Sequence, residues 1–280
     1  MKALILSLAI IGFIGAGSVY GAENAAGAAG RTLKLNINDV MLEVEKQGKA
    51  DVTVVFEAGF GTDLRTWQPV IAALGNNIST VAYSRAGLGQ STAADAPRNI
   101  QQHINDLHTL LTALKVNGEI VLVGHSYGGL LATEYARQFP EQISALVLID
   151  PAVMAQRKVF LQADKGRVLR DDQMLLKMMP TALQQDYQLL ITQLDAAPAR
   201  VNPLPATIRT SLITSTKTYQ QPFVFEETQL GKQLWLNLHN ALFKEVTHGQ
   251  HIRVSDAGHN LHQDKPQLIA QAITAIINRQ

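Results

Sequence analysis

Short apolar runs rich in β-branched residues alternate with amphipathic stretches from residue 31 to the end of the chain. Runs of this kind, bounded by glycine or polar residues, predict strands buried on both faces. The stretches between them carry apolar side chains at helical spacing, as over 100–114. This alternation predicts an α/β fold in which a mostly parallel sheet is flanked by helices.

The predicted strands cover 32–37, 40–45, 52–56, 78–83, 120–123, 143–149, 207–214 and 251–254, and the predicted helices cover 65–74, 100–114, 128–139, 230–243 and 266–277. The segment from Pro151 to Pro205 contains no convincing strand and is rich in methionine and leucine at helix-like spacing. We expect one domain over 31–280, with a helical cap over about 152–205 that covers the carboxyl edge of the sheet. Most of the apolar residues of this segment are expected to be ordinary core, but a methionine-rich cover would also give a pocket an adaptable wall.

Composition excludes several classes of protein. The chain has 280 residues, with 24 basic and 23 acidic side chains and no cysteine. This length is enough to bury a full core, and the balanced charge argues against nucleic acid as the main partner. The lack of cysteine excludes disulfides, thiolate metal sites and a cysteine nucleophile.

The first 21 residues have the layout of a secretory signal. Lys2 precedes an apolar run that extends to about Gly17, and small residues follow it. We expect cleavage before Ala22, a flexible linker over 22–30, and export to the periplasm or the medium. An uncleaved membrane anchor is the alternative, although the run is short for a span and no basic cluster follows it.

The strongest chemical signal is the stretch Val121-Leu-Val-Gly-His-Ser-Tyr-Gly-Gly129, which places Gly-x-Ser-x-Gly between an apolar strand and a helix. A sharp strand-to-helix turn of this kind holds Ser126 in a strained backbone conformation, and the flanking glycines relieve the crowding. The turn also aims the first N–H groups of the helix at developing negative charge. These features predict that Ser126 is a nucleophile.

With its other motifs, the chain resembles the α/β-hydrolase superfamily, in particular the capped branch that contains esterases and lipases. The resemblance spans about residue 33 to the end and includes Glu57-Ala-Gly-Phe-Gly61, Tyr83-Ser-Arg-Ala-Gly-Leu-Gly-Gln-Ser91, Leu146-Val-Leu-Ile-Asp-Pro151 and Ala257-Gly-His-Asn260. The chain departs from the family in two places. Ala58-Gly59 replaces the usual His-Gly, and Ser84 stands where an aspartate usually precedes Arg85, which is expected to weaken a structural ion pair.

The resemblance implies a catalytic histidine and an acid that follow the serine in chain order. His259 lies in the matching Gly-His loop before the last helix, whereas His248, His251 and His262 are rivals without that setting. A neutral imidazole at this position can take the serine proton near neutral pH.

The acid is less constrained. Many members carry it after the strand that follows the cap, but here that strand has no carboxylate at its tip. Asp150 ends the preceding strand, as in other capped members, and is the favoured acid. The alternative is that Asp150 only caps a turn before Pro151. Glu226 and Glu227 are then the other candidates for the acid.

The backbone N–H groups of Phe60 and Tyr127 are expected to form the oxyanion hole, and the motif implies no metal or organic cofactor. The expected function is cleavage of carboxylic esters through an acyl-enzyme, on a small-molecule substrate with an apolar acyl or aromatic group. Thioesterase, lactonase, aminopeptidase or C–C hydrolase activity on the same triad remains open, as does an inactive binding protein. Haloalkane dehalogenases and epoxide hydrolases resemble this fold but carry Asp at the nucleophile position, which disfavours both.

Overall fold

The computed structural model describes residues 31–48, 50–116, 118–198 and 203–278. The predicted signal peptide (1–21) and linker (22–30) lie outside the described residues and stay predictions.

Within the described residues, eight strands form one sheet in the order β1-β2-β4-β3-β5-β6-β7-β8. The first two neighbour pairs, β1 with β2 and β2 with β4, are antiparallel, and all the others are parallel. The predicted α/β-hydrolase fold is thereby confirmed. The strands are β1 (Arg31–Ile37), β2 (Val40–Gln47), β3 (Val52–Glu57), β4 (Ser79–Tyr83), β5 (Glu119–His125), β6 (Ala145–Ile149), β7 (Arg209–Ser215) and β8 (Gly249–Val254).

Helices cover both faces of the sheet because the central strands are buried on both sides. The helices are α1 (Gln68–Leu74), α2 (Ile100–Ala113), α3 (Tyr127–Gln138), α4 (Gln156–Met178), α5 (Thr181–Ala196), α6 (Gln229–Phe243), α7 (Leu261–Asp264) and α8 (Pro266–Ile277). Apolar residues of α1 and α8 pack on one face, and those of α2, α3 and α6 pack on the other. In the described part of the chain, no helix combines the length and the apolar character needed to cross a bilayer.

The predicted helix over 65–74 is divided into two parts. A 3₁₀ turn over Leu64–Trp67 comes first, and the Asp63 carboxylate accepts the Arg65 N–H at its start. Helix α1 then begins at Gln68, with Pro69 in its first turn. Proline is tolerated in the first turn of a helix because the N–H groups there have no partner within the helix. It cannot donate a hydrogen bond back to the preceding 3₁₀ turn, so the two parts stay separate.

Helices α4 and α5 occupy the segment between β6 and β7 that was expected to be helical. Helix α4 is kinked at Asp164, where the backbone leaves the helical region (φ −153°, ψ 82°). Leu175, Met179 and Tyr187 form a small apolar cluster between the two helices. Residues of both helices line the cavity that contains Ser126.

Candidate active site

Ser126 lies at the sharp turn from β5 into α3, in a backbone conformation that L-residues rarely adopt (φ 52°, ψ −121°). Hydrogen bonds to the neighbouring strand hold this turn: Ser126 N–H donates to Ile149 O at 3.1 Å, and Ser126 O accepts the Ala152 N–H at 2.9 Å. The surrounding structure therefore stabilises a strained residue, as is common at functional sites.

The two glycines that flank the serine are required by close packing. A Cβ atom on Gly124 would lie 2.5 Å from Gly128 O, and one on Gly128 would collide with the carbonyl oxygens of Glu57 and Ala58. The start of α3 can approach the loop after β3 only because these positions carry no side chain. That approach brings Tyr127 next to the loop that contains Phe60, and the centroids of the two aromatic rings lie 5.9 Å apart.

His259 and Asp150 are brought together from distant parts of the chain. His259 Nδ1 lies 2.7 Å from Asp150 Oδ2. Because an ionised carboxylate can only accept, Nδ1 carries the proton, and Nε2 of a neutral His259 ring is left as the proton acceptor. His125 Nε2–H donates to the His259 carbonyl oxygen at 2.9 Å and so fixes the backbone of the loop.

The Asp150 carboxylate is fully buried and, with the His259 contact, accepts three hydrogen bonds. Its Oδ1 accepts the Ser215 N–H at 2.9 Å and the Trp235 indole N–H at 2.8 Å. Burial alone would raise the pKa of Asp150, but the nearby Lys232 charge and the hydrogen bond from His259 hold it below its usual value. Asp150 therefore stays ionised and is placed to orient the imidazole.

A buried lysine, which the sequence analysis did not single out, completes the charge arrangement. Lys232 Nζ lies 2.9 Å from Glu226 Oε1 and 4.0 Å from Asp150 Oδ2. Glu226 Oε1 is in turn 3.9 Å from His259 Nδ1. The reserve acid Glu226 is thus close to the histidine but paired with Lys232, whereas Glu227 is used to accept the Phe223 N–H at 2.7 Å.

Asp150, Glu226 and His259 are close enough together to be considered as metal ligands. The Lys232 ammonium, however, already supplies a cation next to both carboxylates. The donor set is better described as a compensated charge cluster than as a metal site. Within it, burial alone would lower the pKa of His259, but the Asp150 hydrogen bond and the Glu226 charge raise it above its ordinary value.

Arg85 holds the loop that carries Phe60. Its guanidinium donates to the Ala58 carbonyl at 2.6 Å and to the Gly59 carbonyl at 2.5 Å, and it forms an ion pair with buried Glu57 at 2.5 Å. The Gly59 carbonyl belongs to the same peptide unit as the Phe60 N–H, so these contacts fix the orientation of that N–H. The expectation of a weakened ion pair at Arg85 is therefore wrong, because Glu57 at the end of the adjacent strand supplies the carboxylate.

Ser84, which the sequence analysis left without a role, belongs to a second buried cluster. Its hydroxyl donates to Glu43 Oε2 at 2.9 Å and accepts the Leu64 N–H at 3.2 Å. Glu43 also accepts the Gln90 N–H at 2.8 Å. Glu43 on β2 thus places a buried carboxylate beside Ser84 and the loop that follows it.

Two of the three rival histidines have structural partners, and the third, His248, is exposed. His262 Nε2 lies 2.6 Å from Thr66 Oγ1, and the His262 ring packs against His125 with the ring centroids 4.2 Å apart. His251 shares the Thr214 hydroxyl with His239, each at 2.7 Å. Burial lowers the pKa of His262 to about 3 and that of His251 to about 4. Among these candidates, His259 lines the cavity that contains Ser126, and His248, His251 and His262 do not.

Ser126, His259, Phe60 and Tyr127 line one cavity under α4 and α5. Its wall is mainly apolar and includes Phe160, Val168, Leu175, Leu190, Ile191 and Leu194. Its polar groups include Arg157 and Asp172 of α4 and Glu226. The cavity therefore offers a largely apolar environment beside the predicted nucleophile and base.

The alpha/beta hydrolase family model matches residues 54–272, a range that contains Phe60, Ser126, Tyr127, Asp150 and His259. The chain belongs to the alpha/beta hydrolase family. This membership supports a hydrolase activity. The uncharacterised protein YqjL of Bacillus subtilis is 28% identical over 229 residues, which are 81% of this chain and 84% of that protein. The chain spans 24% to 38% of the length of the next seven curated relatives.

Solved structures share the fold at low sequence identity. An epoxide hydrolase from Vigna radiata has a TM-score of 0.72 and 16% identity, over 92% of this chain and all of that one. A thermophilic esterase from Thermogutta terrifontis has a TM-score of 0.61 and 19% identity, over 89% of this chain and 98% of that one. These two enzymes carry different activities, so the fold alone does not select a reaction.

Proposed function

We propose that this alpha/beta hydrolase is a serine hydrolase that cleaves carboxylic esters through an acyl-enzyme. The observation that carries the proposal is the 2.7 Å contact between His259 Nδ1 and Asp150, in a protein where Ser126 occupies a strained turn on the same cavity. A nucleophile, a base and a group that orients the base are the three parts that acyl transfer requires.

In this mechanism, Ser126 Oγ attacks the ester carbonyl and His259 Nε2 takes the serine proton. Asp150 stabilises the imidazolium without taking the proton. The N–H groups of Phe60 and Tyr127 hold the tetrahedral oxyanion, and loss of one such donor typically costs about 3 kcal/mol. His259 then protonates the leaving alcohol, and a water deprotonated by His259 releases the acid from Ser126.

One feature favours an ester of an apolar acyl group: the cavity wall is mainly apolar. A serine at the turn disfavours epoxide hydrolysis, although a solved epoxide hydrolase shares the fold. The same groups would also attack a thioester or a lactone, because they act on the carbonyl carbon rather than on the leaving group.

Hydrolysis of p-nitrophenyl esters of short and long acyl chains tests the proposal, with Ser126→Ala as the matched variant. We expect the wild-type protein to hydrolyse at least one ester and the variant to lose about 10⁴-fold or more of that rate. Unchanged activity in the variant would refute Ser126 as the nucleophile. Turnover of thioesters or lactones alone would move the proposal to that bond, and binding without turnover would indicate an inactive binding protein.

A further inference from the structure

Arg157 is a charged residue buried in the largely apolar wall of the active-site cavity. It lies in the first turn of α4, its side chain is 8% exposed, and it lines the same cavity as Ser126 and His259. Burying a guanidinium among apolar side chains costs several kcal/mol unless it is paired and hydrogen-bonded. Each nitrogen of the Arg157 guanidinium is therefore expected to have a hydrogen-bond partner.

Part of the guanidinium is satisfied within the cap. Nε donates to Asp195 Oδ1 at 2.7 Å, and Nη1 donates to Asp172 Oδ2 at 2.9 Å. Tyr187 donates its hydroxyl proton to the other oxygen of Asp172 at 3.1 Å. The remaining nitrogen, Nη2, has no hydrogen-bond partner among the described residues, so its two N–H groups are left for a bound molecule.

The charges around Arg157 indicate what kind of group that molecule would bring. Two carboxylates, Asp172 and Asp195, already contact the one guanidinium. Asp171 also lines the cavity and is balanced by Arg167 at 2.7 Å. A substrate carboxylate beside Arg157 would add a third negative charge to this cluster and would be repelled. An uncharged acceptor gains the hydrogen bond without that repulsion.

We propose that Arg157 Nη2 binds an uncharged carbonyl oxygen within the acyl group of the substrate, so that the preferred substrates are esters of oxo-acyl chains rather than of plain alkanoyl chains. This inference rests on the proposed ester hydrolysis and assigns the substrate class. The apolar wall contacts the part of the acyl chain that lies between the ester carbonyl and the second carbonyl. Arg157 donates a hydrogen bond to the oxygen of the second carbonyl. The hydrogen bond changes no covalent bond and serves to position the acyl chain.

Matched sets of p-nitrophenyl esters provide the test. Each set contains an alkanoyl ester, analogues in which a keto group is moved along the chain, and an analogue that ends in a carboxylate. A hydrogen bond from a charged donor is worth about 1.5–3 kcal/mol, so we expect one keto position to raise kcat/KM roughly 10-fold to 100-fold over the alkanoyl parent. The carboxylate analogue should show no such gain.

Arg157→Met should abolish the preference for the keto ester. Lys158→Met is the matched control, because it removes a cation from the next position of α4 and Lys158 does not line the cavity. The control should keep the wild-type ratio of the two kcat/KM values. A keto-to-alkanoyl ratio that is the same in wild type and Arg157→Met at every keto position, whatever its size, would overturn the inference, and so would a preference for the carboxylate analogue.

Binding of the same esters to Ser126→Ala, measured by titration calorimetry, separates this inference from the proposed reaction. Tighter binding of the keto ester than of the alkanoyl ester in Ser126→Ala, and loss of this difference in Ser126→Ala/Arg157→Met, supports the role of Arg157 even if no ester is turned over. Equal binding of both contradicts it even if ester hydrolysis is confirmed. If Arg157→Met fails to fold, the absence of any keto preference in the wild-type protein still contradicts the inference. Arg157→Lys then tests the assignment, because it keeps the charge but moves the hydrogen-bond donors, and an unchanged keto preference in that variant would contradict the inference.

Discussion

Lys232→Met is the change that most directly tests the electrostatics of the site. Lys232 is 4% exposed, and its ammonium lies 2.9 Å from Glu226 and 4.0 Å from Asp150. Both carboxylates face the His259 ring, at 2.7 Å and 3.9 Å from Nδ1. Methionine keeps much of the length of lysine but removes its charge, so the two carboxylates would act on His259 without compensation.

The structure sets the size of the effect. The variant removes the repulsion between the Lys232 ammonium and the His259 imidazolium, which acts to lower the pKa of His259 in the wild-type protein. Two unit charges about 4 Å apart interact with about 4 kcal/mol at an effective dielectric constant of about 20, which corresponds to roughly three pKa units. The repulsion is smaller than this, because the Asp150 and Glu226 carboxylates beside Lys232 screen it and Glu226 is 18% exposed to water. We therefore expect the variant to raise the pKa of His259 by roughly one to two units.

The assay is the pH dependence of kcat/KM for a p-nitrophenyl ester between about pH 5 and pH 9, since this profile reports the ionisation of the free enzyme. His259 must be neutral to accept the serine proton, so a higher pKa moves the acid limb to higher pH. Burial lowers the pKa of the neighbouring His125 and His262, so these rings are neutral where the limb lies. His239 has its pKa lowered in the same way.

The double variant Glu226→Gln/Lys232→Met is the control. It removes both partners of the 2.9 Å pair, and its acid limb should return toward that of the wild type. An acid limb that stays in place in folded Lys232→Met would refute the reasoning. An equal loss of activity at every pH would show that Lys232 acts on structure rather than on the ionisation of His259.

Other changes test separate parts of the molecule. Asp150→Asn should lower kcat by about 10⁴-fold, and Glu226→Gln by less than about 10-fold; the opposite ranking in steady-state kinetics would assign the acid role to Glu226. Arg85→Lys keeps the charge but not the fork that holds two carbonyls, so kcat should fall about 10-fold with KM little changed, and an unchanged kcat would contradict this role. Thr214→Val leaves two histidines without their shared partner and should lower the free energy of unfolding in urea by about 2 kcal/mol, against less than about 1 kcal/mol for Thr214→Ser. Because burial lowers the pKa of His251 to about 4, the unfolded chain binds its proton first, and stability should fall as the pH drops from about 6.5 toward 4; a flat profile over that range would contradict it.

The sheet could be predicted from sequence because its central strands are continuous apolar runs. β5 and β6 begin and end within two residues of their predicted bounds, and the same residues are buried on both faces. The helix after β5 and the turn before it follow from one motif. The apolar pattern does not predict which strands pair, and so it did not predict the antiparallel pairing of β2 with β4. This pairing brings Glu43 next to Ser84.

The charged residues of the site were harder to predict for a related reason. Lys232 lies near the start of an amphipathic helix, where a lysine normally indicates a solvent-exposed face. It is buried because the 3₁₀ turn Phe225–Glu227 folds back against α6 and places Glu226 beside it. From sequence, Arg157 would likewise be placed on the surface of the cap, because its aspartate partners Asp172 and Asp195 are distant in the chain. Such contacts depend on tertiary packing and leave no local signal.

The position of Asp150 shows how the site can be completed from a neighbouring strand. β6 and β7 pair in parallel with Ile149 beside Ile213, so the residue after β6 reaches the same edge of the sheet as the end of β7. The backbone of Ser215, at the end of β7, donates its N–H to the Asp150 carboxylate, and Asp150 itself takes a positive φ of 42°. Adjacent parallel strands lie about 4.8 Å apart, a distance that one aspartate side chain and a local bend of the backbone can bridge. An acid on β6 can therefore occupy the place expected for one on β7, while the strand without a carboxylate supplies a hydrogen-bond donor to it. The His259 imidazole therefore forms the same hydrogen bond to a carboxylate whether the aspartate follows β6 or β7.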